Sequence, residues 1–231
     1  MATAGFRTRV LLGDFSLSSK LSDISLPMSV DMHDVTTFGD DGVKRFIPGV
    51  SSSTASMSGF MDADTQTDAI AWSAAEPLTY APFGLAAGSQ VQLVSTLRAS
   101  FSPGSSVAGV SSFDLSAQTD GFTDFGVSLH DLTAVTATEN GAAQNNGAAT
   151  ANGGLAQLHV TAFSGLTNAV VTVEDSANGS TGWATIATFA TVTAVTGEQV
   201  AVAGAVRQYL RYVATLTGTG SVTFQCSFAR R

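Results

Sequence analysis

Val222-Thr223-Phe224-Gln225-Cys226-Ser227-Phe228 alternates apolar and polar side chains at a period of two. Only an extended strand puts Val222, Phe224, Cys226 and Phe228 on one face, so the segment predicts a strand with that face in a core. Just upstream, Arg207-Gln208-Tyr209-Leu210-Arg211-Tyr212-Val213 reads as its antiparallel partner, joined through Gly218-Thr219-Gly220. Further back, Leu155–Thr161 sets Ala156, Leu158 and Val160 on one face and Gln157 and His159 on the other, polar one. Val170–Glu174 runs into a turn with the strong Asn178-Gly179 signal, and Trp183–Phe189 reads as the returning strand. The C-terminal part is therefore antiparallel β.

Helix signals elsewhere are few. Asp64 to Glu76 predicts one short helix, capped by Asp62 or Asp64 and stopped by Pro77. The stretch Glu139–Gly154 is rich in Ala, Asn and Gly, with Thr150 as its one β-branched residue. It reads as a loop or linker between a β-rich first half, 1–138, and an antiparallel second half, 155–231, which form two units or one continuous domain. The expected fold class is mainly β: an antiparallel sandwich or partial barrel with one short flanking helix and long loops.

The 231 residues are 44% hydrophobic, enough for a buried core, but only 12% are charged. That is about half the usual share of roughly 25% and suits a chain whose surface is largely covered by neighbours. A net charge of −8 argues against binding driven by phosphate neutralisation. The charge is also segregated: residues 99–206 hold acids and no Lys or Arg, and the terminus then carries Arg207, Arg211, Arg230 and Arg231 with no acid. If these segments lie apart, they set up a field across the molecule that favours acidic-to-basic self-association. The N-terminal apolar run, Val10 to Leu12, is too short for a signal peptide, and no run approaches the ~18 residues of a spanning helix. The expectation is a soluble, cytoplasmically made chain that associates.

No pattern carries catalysis. Nucleophile-elbow, P-loop, His-Glu-x-x-His and dinucleotide fingerprints do not occur in the sequence. Along a strand Asp31 and His33 share a face while Asp34 points away, so His33 reads as part of a solvated polar edge before a turn. His130 reads as a hydrogen-bonded surface histidine, and His159 lies on the polar face of its strand. Cys226 sits in the core stripe, where a thiol stays protonated, and one cysteine allows no intramolecular disulfide. The turn after Asp175 lacks the alternating acids of a calcium loop. The reading is a non-enzyme with no cofactor and no metal.

Asp34-Val35-Thr36-Thr37-Phe38-Gly39-Asp40-Asp41-Gly42-Val43-Lys44-Arg45-Phe46-Ile47-Pro48-Gly49-Val50 precedes Ser56-Met57-Ser58-Gly59-Phe60-Met61-Asp62. Leu12-Gly13-Asp14-Phe15-Ser16-Leu17-Ser18 lies upstream, and Val173-Glu174-Asp175-Ser176, Gly182-Trp183 and Arg207–Tyr212 follow. This order resembles the major tail tube proteins of long-tailed bacteriophages, although residues 77–125 match nothing in that pattern. The resemblance implies a structural virion protein, made in the host bacterial cytoplasm, whose hexameric rings stack into a tail tube. Its partners are then itself and other tail proteins, with DNA passing through the lumen without specific binding, and with no membrane. It also implies that the loop carrying Asp40, Asp41, Lys44 and Arg45 reaches a neighbouring subunit. The alternative is a capsid or tail decoration module, or a glycan-binding β-sandwich using Trp183, Tyr209 and Tyr212.

Overall fold

The computed structural model describes residues 5–62, 65, 72, 74–107 and 109–231, with the side chains at 50 and 51 left aside. Its strands, in chain order, are β1 (Arg9–Leu12), β2 (Phe15–Ser16), β3 (Leu21–Ser25), β4 (Ser29–Asp34), β5 (Phe46–Ser52), β6 (Thr54–Phe60), β7 (Glu76–Ala81) and β8 (Gln90–Gly104). There follow β9 (Ser112–Thr119), β10 (Asp124–Val135), β11 (Glu139–Asn140), β12 (Gln144–Asn145), β13 (Gly154–Ser176), β14 (Ala184–Thr188), β15 (Thr196–Val202) and β16 (Tyr209–Arg230). Each strand pairing is antiparallel. The main sheet runs β14-β13-β16-β10-β8-β7-β1-β2 with side branches and is not closed into a barrel.

Alternation along the strands shows how this sheet is layered. In β1, Val10 enters one apolar cluster and Leu11 another; in β7, Leu78 and Ala81 divide the same way. In β13 and β16, Leu155 and Ala229 join that second cluster, whereas Ala156 and Phe228 face a third. Four β layers therefore enclose three cores. The first core lies between β3-β6-β9 and β1-β7-β8, around Met57, Trp72, Leu78 and Phe113. The last lies inside a sandwich built from β13 and β16, around Leu158, Val171, Phe189, Leu210 and Phe224. The middle one is small, and polar groups share its space.

The terminal sandwich is made by two strands that each serve both sheets. Gly154 to Val160 pairs with β15 on one edge and with Phe224–Arg230 on the other, while Thr172 to Asp175 pairs with β14 and with Leu210–Val213. Between these stretches the register shifts at three places, from Val160 to Asn168. Bulges of this kind let a strand turn a corner and change sheets. The Gly218-Thr219-Gly220 stretch, expected to be a hairpin turn between two strands, is that corner: β16 runs unbroken across it. Glycine is required because a Cβ on Gly220 would stand 2.0 Å from the Ser164 carbonyl oxygen, and Gly218 has φ +101°. Likewise Leu155–Thr161 and Val170–Glu174, read as separate strands, are the two ends of β13.

The stripe Val222, Phe224, Cys226 and Phe228 is fully buried, as its period predicts. The Asn178-Gly179 turn joins β13 to β14. Segment 139–154 is loop apart from β11 and β12, which pair with β16, and Gly154, which opens β13. Most of the expected helix over 64–76 lies outside the described residues. The Asp62 carboxylate accepts from the Thr65 amide at 2.9 Å, the contact of a helix cap, and Glu76 and Pro77 belong to strand β7 rather than to a helix end.

Because the corner has no room for a Cβ, Gly220→Ala should cost about 2 kcal/mol of stability by overpacking. Gly5→Ala, where nothing lies within 4 Å of the new Cβ, should leave the urea midpoint unchanged.

Candidate assembly surface

Strands β4 and β5 form a sheet of their own, paired from Ser29↔Ser52 to Asp34↔Phe46. All six residues of β4 are exposed. On the hairpin and its flank, Met28, Val30, Met32, Val35, Phe38, Val43, Phe46 and Ile47 are all exposed, Phe38 completely so. An isolated two-stranded ribbon is marginal in water, and so many bare apolar side chains make this hairpin the candidate surface.

The tip of this hairpin is ordered by its own polar groups. The Asp34 carboxylate accepts from the Thr36 amide at 2.9 Å and its hydroxyl at 2.5 Å. Asp40 likewise accepts from the Thr37 amide at 2.7 Å and hydroxyl at 2.9 Å, and it pairs with the Arg45 guanidinium. These hydrogen bonds hold both carboxyls below the usual range. Lys44 approaches Asp34 at 3.9 Å. Asp41 takes φ +49° beside Gly42 at +77°, which reverses the chain. Asp40, Asp41, Lys44 and Arg45 thus sit together at one preshaped tip. His33 is exposed on β4 with its ring over Gly49. Among the described residues no group of three or more His, Cys, Asp or Glu is placed to hold a metal.

The terminal arginines are matched within the chain. Arg207 pairs with Asp175 at 2.5 Å, Arg211 with Glu174 at 2.7 Å and Arg231 with Asp124 at 2.7 Å. Arg230 donates to the carbonyls of Asn146, Val206, Arg207 and Gln208. The acid-only and base-only segments do not lie apart, because β16 runs between β13 and β10. Segregation along the sequence becomes pairing across strands.

Two histidines are buried deeper than their patterns suggest. His130, expected at the surface, stacks on Phe224 at 4.3 Å and donates from Nδ1 to the Phe224 carbonyl at 3.0 Å. His159 is fully buried in the middle core, donating from Nδ1 to the Gly13 carbonyl at 2.7 Å. Its Nε2 lies 2.8 Å from the Thr79 hydroxyl, which is also 3.0 Å from Gln157 Oε1; Gln157 Nε2 donates to the Val94 carbonyl at 3.0 Å. This network links β13 to β7, β8 and the β1–β2 turn. The polar face of β13 is therefore the seam between the two halves. Sequence gave no signal for that, since the partners lie up to 146 residues away.

The aromatics considered for glycan binding do not form an exposed cluster. Tyr212 is buried and donates to Glu139 at 2.6 Å, Trp183 is covered by the Arg211 guanidinium 4.2 Å away, and Tyr209 packs over Gly179.

No protein-family model and no curated protein matches the chain. Among solved structures it is similar to a chain of the virion of a native gene transfer agent particle, at 20% identity and a TM-score of 0.44, over 54% of this chain and 98% of that one. It is also similar to the SPP1 tail tube, at 10% identity and a TM-score of 0.43, over 52% and 77% of the two chains. The SPP1 Dit protein, of the hub adsorption apparatus in phages infecting Gram-positive hosts, matches 96% of this chain and 99% of its own at 12% identity and a TM-score of 0.39.

Burial lowers the pKa of His159 from its ordinary 6.5 to about 4, against the smaller raising effect of its bond to Gly13. The unfolded chain titrates at the ordinary value, so this contribution to stability is complete above pH 6.5 and lost as pH falls through 4. The advantage of the wild type over His159→Gln should shrink by about 3 kcal/mol between pH 7 and pH 4, as read from urea unfolding at each pH.

Proposed function

We propose that this chain is a structural phage tail protein that self-assembles into stacked rings, forming a tube through which DNA is ejected. The observation that carries the reading is the β4–β5 hairpin: a ribbon outside the main sheet, with every residue of β4 exposed, an ordered tip and a run of exposed apolar side chains. A second copy is the occupant that accounts for it without another protein. The hairpin of one copy reaches a different surface on the next, a heterologous contact that propagates instead of closing on itself.

Two further features support rings. The layer β3-β6-β9 continues into the end of β8, and among the described residues β3 pairs only with β6 while Ser100–Gly104 pairs only with β9. Such edges present free backbone donors and acceptors, suited to continuing the sheet from copy to copy. The face of this layer away from the core carries Asp23, Ser56, Ser58, Ser100, Asp114 and Ser116, with the exposed Phe60 at its end. Small hydroxyls and carboxylates there would let a polyanion pass without phosphate pairing. The sequence resemblance to tail tube proteins points the same way and supplies the sixfold count. No helix among the described residues is long and apolar enough to cross a membrane.

Replacing Phe38, Val43 and Ile47 together by Ser should abolish rings and tubes, seen by negative-stain electron microscopy, while the monomer unfolds at the wild-type temperature. Wild-type tubes from that variant would remove the hairpin from the account.

A further inference from the structure

Apolar exposure is divided sharply along this chain. Among the described residues, the exposed large apolar side chains run from Phe6 to Phe125, and Val195 is the single exception beyond them. The earlier part holds the hairpin group, Phe60, Phe83 and Leu97, the β8–β9 tip residues Val107 and Val110, and Phe122 with Phe125. From Gly126 onward the apolar residues are spent on the chain's own cores.

The terminal sandwich is also closed by its own ion pairs and turns. The terminal sandwich neutralises its ions internally through Asp175–Arg207 and Glu174–Arg211, and Asp124–Arg231 closes its base. The long strands β13 and β16 are flanked along much of their length, by β11 and β12 of two residues each, β14 of five and β15 of seven. Two-residue strands such as β11 and β12 are too short to template another chain. The β13–β14 turn is locked as well, with Asn178 Oδ1 accepting from the amides of Ser180 at 3.0 Å and Thr181 at 2.9 Å. Apart from Val195, the described residues of this unit offer a neighbour no bare large apolar side chain.

We infer that the contacts between copies are confined to residues 5–125, and that the terminal sandwich stands outside them, its β13–β14 turn facing solvent in the assembled particle. This rests on the self-assembly proposed above and adds an orientation to it. The occupant of the outer surface is water, and that turn is a position where the particle tolerates added chain.

Thiol footprinting tests this on the full chain. Cys226, its one cysteine, is fully buried, so an introduced surface thiol is the reactive one. Ser180→Cys and Thr185→Cys report on the outer unit, and Val43→Cys on the hairpin; each is treated with maleimide-polyethylene glycol before and after assembly. Ser180→Cys and Thr185→Cys should react at unchanged rates in both states, while Val43→Cys slows by about tenfold or more, as for a site that must open to react. Comparable slowing at positions 180 and 185 would overturn the inference, as would an unprotected Val43→Cys in the assembled particle. If Ser180→Cys disturbs the turn, Thr185→Cys on strand β14 gives the same reading. A wild-type chain that never assembles would overturn the tube reading first, and this inference with it.

Discussion

The pairing of β13 with β16 is the interaction on which the rest of the molecule depends. It joins Gly154↔Arg230 to Ser176↔Tyr209, nearly the whole length of two strands of 23 and 22 residues. A ribbon of that length cannot stay flat while burying one face, because strands twist and each sheet needs a second layer to cover it. Bulges near Ala162 and Gly165, opposite Gly218 and Gly220, fold the ribbon over its own apolar side. The result is a sandwich with Phe224, Val171 and Leu210 inside. The outward face of one limb then becomes the floor on which the first half of the chain packs.

That second packing surface is mixed rather than oily. Leu11, Leu93, Leu155 and Ala229 supply the apolar part; Thr79, Gln157 and His159 supply a hydrogen-bonded part. Thr79 has one proton and two acceptors near it, so neutral His159 leaves one contact without a hydrogen. An ionised imidazole would complete the set, yet its desolvation in this space outweighs that gain. Such networks contribute orientation as well as energy, since sliding one layer over the other leaves buried groups unpaired. Gly197 adds a steric key, as a Cβ there would stand 2.5 Å from the Gly13 backbone. Under the proposed assembly, a seam of this kind would hold the hairpin and the sheet edges in fixed relation.

Much of the terminal sandwich was legible in sequence, because period-two alternation over Val222–Phe228 has one physical reading. The glycines at 218 and 220 were ambiguous: a residue without Cβ serves a tight turn and a sheet corner equally, and only the partner strand decides. Gln157 and His159 read as a polar face, which alternation alone assigns to solvent; their partners come from Gly13, Thr79 and Val94, far away in the chain. The arginine-rich terminus looked like a field source because sequence cannot show that β16 runs beside the acids of β13 and β10. Conversely, Val30 and Met32 alternate as a buried strand would, and nothing local reveals that no layer covers them. The mixed-charge tip was visible as composition, but its ordering by Thr36 and Thr37 required the fold.

The central claim is that copies of this chain complete one another through the first half of the sequence. Negative-stain electron microscopy of the purified protein, concentrated stepwise at moderate salt, tests it most directly. Hollow rings or tubes that lengthen with concentration are the predicted result. A chain that stays a dispersed monomer at every concentration would contradict the account and return the molecule to a decorating or ligand-binding module.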